Sequence, residues 1–202
     1  MRKPTLLLLC CSLLPLAAPA QTTNIKNAPL QNRAFETDLP TGSTLRLHLH
    51  EGDFRIEGSD SEKISIHVSG KNIDQSDQIK INLHRAGKIV DLTLSHVPKQ
   101  ELVVTIAIPK STNLYARMRG GDFSVSNIIG DKDLELTGGD LTLQVSNPQD
   151  YSHVDLSVTF GNISGNQFGD PAGNIGNSIR KQGTGKYRLH AHVMAGDLLL
   201  KS

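Results

Sequence analysis

The stretch Gly120-Gly121-Asp122-Phe123-Ser124-Val125 returns in form as Gly138-Gly139-Asp140-Leu141-Thr142-Leu143. The same cassette, an apolar run, then Gly-Asp or Gly-Asn, then a second apolar run, also occurs at Gly52-Asp53-Phe54, Gly161-Asn162-Ile163 and Gly196-Asp197-Leu198. Glycine supplies the backbone angle or the close approach that a corner needs, and Asp or Asn can bond its own turn backbone. Gly121, Gly139 and Gly161 are spaced by 18 and 22 residues. A period near 20 belongs to a solenoid, in which each coil buries its face by stacking on its neighbours. Hairpin turns at Gly120-Gly121 and Gly138-Gly139 are the competing reading. A meander has no need of near-constant spacing, whereas a solenoid does. The ten residues Gly52, Asp53, Gly121, Asp122, Gly139, Asp140, Gly161, Asn162, Gly196 and Asp197 are therefore expected to be structural turns.

Outward from these corners the chain alternates apolar and polar residues with a period of two, the pattern of half-buried strands. Leu45-Leu47-Leu49, Ile64-Ile66-Val68, Ile79-Ile81-Leu83, Leu134-Leu136, Val154-Leu156-Val158 and Leu189-Ala191-Val193 are examples. No segment carries a convincing helical period. The expected fold is all-β. A short β-solenoid, β-helix-like, fills the C-terminal half over 110–202, capped by an N-terminal sheet or sandwich over 35–109. Asn166 to Lys186, rich in Gly and Asn, reads as a long loop around one short strand or turn.

Residues 1–20 have the parts of a secretory signal: Arg2 and Lys3, an apolar stretch from Leu6 to Leu16, and the small-residue end Ala18-Pro19-Ala20. Leu9 before Cys10 disfavours lipid attachment at that cysteine. Residues 21–34, with Asn, Gln, Thr and Pro29, read as a flexible leader before a single domain over 35–202. Cleavage after Ala20 would remove both cysteines and leave 19 basic against 20 acidic residues. That balance gives no footprint for nucleic acid. No later apolar run approaches the roughly 20 residues that a membrane helix needs. The chain is thus expected to be exported, to periplasm or cell surface, and to act on an unknown envelope or surface ligand without a transmembrane segment.

The run from Leu102 through Pro109 to Leu114, followed by Gly121-Asp122-Phe123-Ser124-Val125, Gly130, Leu134-Glu135-Leu136 and Gly139-Asp140-Leu141, resembles the bacterial putative-adhesin domain family of unknown function. The resemblance covers roughly Phe35 to Leu200. It implies a β-solenoid with repeated Gly-Asp corners in an exported envelope protein, adhesion being a label more than an activity. Asn162 departs from the Asp of the other corners. A turn tolerates either, whereas a general acid or base does not.

Candidate chemistry is sparse. His48 and His50, and likewise His190 and His192, lie two apart on strands, so each pair shares a face and could offer imidazoles to Zn²⁺ or Cu²⁺. Arg46 and Arg188 fall on the same faces and no Glu or Cys stands in obvious ligand spacing, so a solvated polar face is the favoured reading and no metal or cofactor is expected. Calcium-binding repeats need Gly-Gly-x-Gly-x-Asp; here Phe123 and Val125 occupy two of the required positions. No Gly-x-Ser-x-Gly elbow is present. Asp53, Asp122, Asp140 and Asp197 could line one edge, but Trp is absent and stacking aromatics are few. The expectation is a non-catalytic binding or adhesin-like module; the alternative is a periplasmic polysaccharide-acting enzyme using a carboxylate on the solenoid face. A flat polar face would favour the binder, and a groove with two acids beside basic or aromatic residues the enzyme.

Overall fold

The computed structural model describes residues 22–30, 33–71, 73–98, 101–173 and 176–202. The expected signal segment lies outside the described residues. The chain forms, in order, β1 (Thr22–Pro29), β2 (Ala34–Asp38), β3 (Thr44–Glu51), β4 (Asp53–Ser59), β5 (Lys63–Gly70), β6 (Lys80–Ala86), β7 (Ile89–Ser95), β8 (Leu102–Pro109) and β9 (Asn113–Gly120). It continues with β10 (Phe123–Ser126), β11 (Lys132–Gly138), β12 (Leu141–Gln144), β13 (Tyr151–Phe160), β14 (Ile163–Ser164), β15 (Asn177–Gln182), β16 (Tyr187–Ala195) and β17 (Leu198–Lys201). Two short 3₁₀ turns, Ile73–Gln78 and Pro148–Asp150, complete the described elements. The all-β expectation holds.

The strands build two mixed sheets. One runs β1-β6-β7-β3-β9-β11-β16-β13-β15 and the other β14-β17-β12-β10-β4-β8-β5-β2. Period-two alternation sets which side faces in: in β3 the three leucines are buried while Arg46, His48 and His50 are exposed. Neighbouring strands contribute side chains to common rows. Leu47, Ala116, Leu134, Ala191 and Leu156 are register partners across the larger sheet. Phe54, Phe123, Leu141, Leu198 and Ile163 are register partners across the smaller one. All ten are buried.

Each Gly-Asp or Gly-Asn corner carries the chain from one sheet to the other: β3 to β4, β9 to β10, β11 to β12, β13 to β14 and β16 to β17. These ten strands pair in parallel within their sheets. The corners hydrogen-bond to one another in the order Gly52, Gly121, Gly139, Gly196, Gly161. The Gly52 N–H donates to the Gly120 carbonyl at 3.1 Å, Gly121 to Gly138 at 3.0 Å, Gly139 to Ala195 at 2.9 Å and Gly196 to Phe160 at 2.9 Å.

Three features differ from the sequence reading. Gly161 is not the neighbour of Gly139; the Gly196 corner stands between them, so the 18- and 22-residue spacings do not mark three consecutive levels. The expected division at residue 110 does not separate the sheets, because each takes strands from both halves and the Gly52 corner stacks directly on that of Gly121. Residues 22–29, read as flexible leader, form β1, antiparallel to β6. The polar residues of this edge strand hide its period, and only Ile25 and Ala28 pack on the core. The last described strand, β17, lies between β12 and β14. The expected strand within Asn166 to Lys186 is present as β15, antiparallel to β13.

Candidate functional site

The glycines at the corners have positive φ: +139° at Gly52, +104° at Gly121, +116° at Gly139, +142° at Gly161 and +135° at Gly196. An added Cβ would meet the Gly52 carbonyl oxygen at 2.1 Å from position 121, and the Gly121 oxygen at 2.2 Å from position 139. The acids of the corners divide into two kinds. Asp140 accepts the Asp197 N–H at 3.0 Å and Asp197 accepts the Asn162 N–H at 2.8 Å, so both serve the turn. The Asp122 carbonyl accepts the Phe54 N–H at 2.8 Å, but among the described residues the carboxylates of Asp53 and Asp122 show no hydrogen bond or ion pair. They face an open groove of about 310 Å³ that Arg55, Ser124, Asp140 and Thr142 also line. Partial burial and the like charges of Asp53 and Asp140 raise the Asp122 carboxyl above its ordinary pKa. Phe54 and Phe123 reach this groove but are buried in the core, so neither offers an open ring face.

The second cluster lies on the outer face of the larger sheet. One row of register partners runs Arg46, Tyr115, Asp133, His190, Asp155, Arg180, and the next runs His48, Arg117, Glu135, His192, Ser157, Ser178. The two histidine pairs named from the sequence are therefore not brought together: β9 and β11 separate them. His48 and His50 instead line a shallow depression of about 260 Å³ with Arg117, Arg119, Glu135 and Thr137. His192 Nδ1 lies 2.9 Å from Ser157 Oγ.

Around His190 the arrangement is tighter. His190 Nδ1 lies 2.9 Å from Asp133 Oδ1, which places the ring N–H toward the carboxylate. Arg117 donates from Nη1 to the same oxygen at 3.1 Å and pairs through Nε with Glu135 Oε2 at 2.9 Å. Burial opposes ionisation of Asp133, but the hydrogen bonds and charges of His190 and Arg117 outweigh it and hold the carboxyl below its ordinary pKa. Asp133 and Glu135 were missed as companions of His190 because ligand spacing was sought along one strand. The sequence signal was the alternation Asp133-Leu134-Glu135-Leu136, which puts both acids on one face; their partner strand is distant in sequence.

One buried group escaped the sequence reading altogether. Lys132 takes a core-facing position in a row otherwise filled by Leu45, Leu114, Leu189 and Val154. It is 1% exposed. Its Nζ donates to the Tyr151 hydroxyl at 2.7 Å and to the Gly130 carbonyl at 3.2 Å. Burial lowers the ammonium pKa to about 8, and burial likewise raises the Tyr151 phenol to about 12.

No family model matches the sequence, and no curated protein matches it either. Among solved structures the chain is similar to a putative cell adhesion protein from Clostridium sporogenes, with 14% identity, 83% of this chain and 98% of that one covered, and a TM-score of 0.52. The two share a fold. A putative adhesin from Bacteroides fragilis is similar at 10% identity over 92% of this chain and 100% of that one, with a TM-score of 0.41. This second likeness is too distant in shape to add to the first. No helix among the described residues is long and apolar enough to cross a membrane.

Proposed function

We propose that the chain is an exported, non-catalytic envelope module that binds its ligand on the outer face of the larger sheet. The observation that carries this reading is the open pair of rows from Arg46 to Arg180 and from His48 to Ser178, where charged and polar side chains stand in register across adjacent strands. Such a face offers repeated contacts at the strand spacing of about 4.8 Å, suited to an extended polar ligand. The signal-like segment 1–20 supports export, and the fold shared with a protein described as a cell adhesion protein supports a surface role. We read the five stacked corners as a short solenoid whose glycines and acids are mainly structural.

A second reading is favoured by the corner groove. Asp122, with its raised pKa, stands beside Asp53, Asp140 and Arg55, the kind of acid cluster a polysaccharide-acting enzyme would use. The lack of an open aromatic platform there and the structural use of Asp140 favour the binder.

Fractionation of the producing cells and co-sedimentation of purified protein with their envelope fractions test the proposal. Protein in the periplasmic or surface fraction, with envelope binding weakened by Arg46→Glu together with Arg180→Glu, is the expected result. Cytoplasmic retention, or binding indifferent to the double charge reversal, would count against it. Polysaccharide cleavage that is lost in Asp122→Asn would move the reading to the enzyme.

A further inference from the structure

We propose that Asp133, Glu135 and His190 form a binding site for a divalent transition-metal ion of the zinc class. A ring nitrogen of His190 and one carboxylate oxygen from each acid all lie within 4.8 Å of one another. A mixed imidazole and carboxylate set suits zinc or copper, whereas calcium and magnesium prefer oxygen alone. The ligands stand on two adjacent parallel strands, with Asp133 opposite His190 in register. Those strands are themselves flanked by β9 and β13, so the backbone under the site is fixed from both sides.

Arg117 supplies the reason that this cluster is stable without a metal. Its guanidinium bridges Asp133 and Glu135, holding together two carboxylates that would otherwise repel. A bound ion takes over that role. It displaces Arg117 toward solvent and takes the lone pair of the His190 nitrogen that faces Asp133, the single proton of the neutral imidazole passing to the other ring nitrogen. Asp155, on the other side of His190 in register, is paired with Arg180 at 3.4 Å. The exposed face leaves solvent free to complete a tetrahedral zinc shell.

Arg117 is thus a competitor of the metal, and this gives the site a signature that adventitious histidine binding lacks. The test is isothermal titration of tag-free protein with zinc chloride, each variant first checked for its β-type circular dichroism. The expected result is one saturable zinc site in the wild type, weakened by about tenfold or more in His190→Ala and in Asp133→Asn, and tightened in Arg117→Ala. Where an alanine variant fails to fold, His190→Gln or Arg117→Gln takes its place. A His67→Ala/His84→Ala double variant, at exposed histidines away from the cluster, should bind zinc as the wild type does. Absence of a saturable site in the wild type, unchanged affinity in the His190 variant, or weaker binding on loss of Arg117 overturns the proposal.

Discussion

An alanine Cβ at position 196 would lie 1.9 Å from the carbonyl oxygen of Gly139. The neighbouring corner fills the space that any side chain would need, and it does so with backbone that is itself tied into two sheets. The obstruction therefore comes from stacking and adds to the strain of the positive φ at Gly196.

Substitution by alanine should rank the corners by what lies against them. Gly196→Ala should lower stability by more than about 3 kcal/mol, where strained φ and backbone collision add. Gly42→Ala, with φ of +74° and nothing within 4 Å of an added Cβ, should cost only about 1 kcal/mol. Chemical denaturation of the two variants measures the difference; equal losses would contradict stacking as the cause.

Deleting Asp197 to Ser202 should open a gap inside the smaller sheet, because β17 joins β12 to β14 and buries Leu198 and Leu200. The unpaired edge of β12 and the exposed core then invite association. Size-exclusion chromatography is expected to show aggregates, and a monomer with an unchanged circular dichroism spectrum would show that β17 is dispensable.

Lys132 predicts a dependence on alkaline pH. Its pKa is about 8 in the folded protein against an ordinary 10.5, so the unfolded chain binds more protons between those values. Folding therefore carries a cost below pH 8 that fades as pH rises toward 10.5. The stability of Lys132→Met relative to wild type should fall by an amount on the order of 3 kcal/mol over this window. Denaturation of both proteins from pH 7 to 10.5 provides the comparison, and a constant gap would mean that Lys132 does not feel its burial.

Asp122→Asn should be mildly stabilising at neutral pH, by less than about 1 kcal/mol given the exposure of the groove to solvent. The raised pKa means that ionisation of Asp122 is disfavoured in the folded state. Removing the charge relieves this cost above the pKa, and the advantage should vanish as pH falls below the ordinary value of 3.8. Melting curves at pH 7 and pH 3 give the two ends.

What the sequence revealed depended on distance along the chain. The leucines of β3 and the Gly-Asp corners are local patterns, and both were legible. The partner of each strand was not, because backbone pairing carries no residue code and the Gly196 corner enters between two that precede it. For the same reason His190 could be placed on a polar face, while its meeting with Asp133 and Glu135 required the stack order. Lys132 was hidden in a different way. A lysine between Asp131 and Asp133 reads as surface, and its burial depends on Tyr151, nineteen residues away, supplying an acceptor for the ammonium group.

The out-of-order corner also governs when this protein can fold. Synthesis delivers β13 and β14 before β16 and β17, yet the later pair must slot between the earlier one and the β11–β12 level. Until it arrives, four strand edges face solvent unsatisfied, and the arch at Asn162 has no neighbour on which to lean. The levels at Gly52, Gly121 and Gly139 follow chain order, but the last two do not; residues 187–201 act as a late keystone that joins both sheets there at once. A polypeptide wired in this manner keeps its last levels open until residues 187–201 have been made, so the pairing that completes them is long-range in sequence.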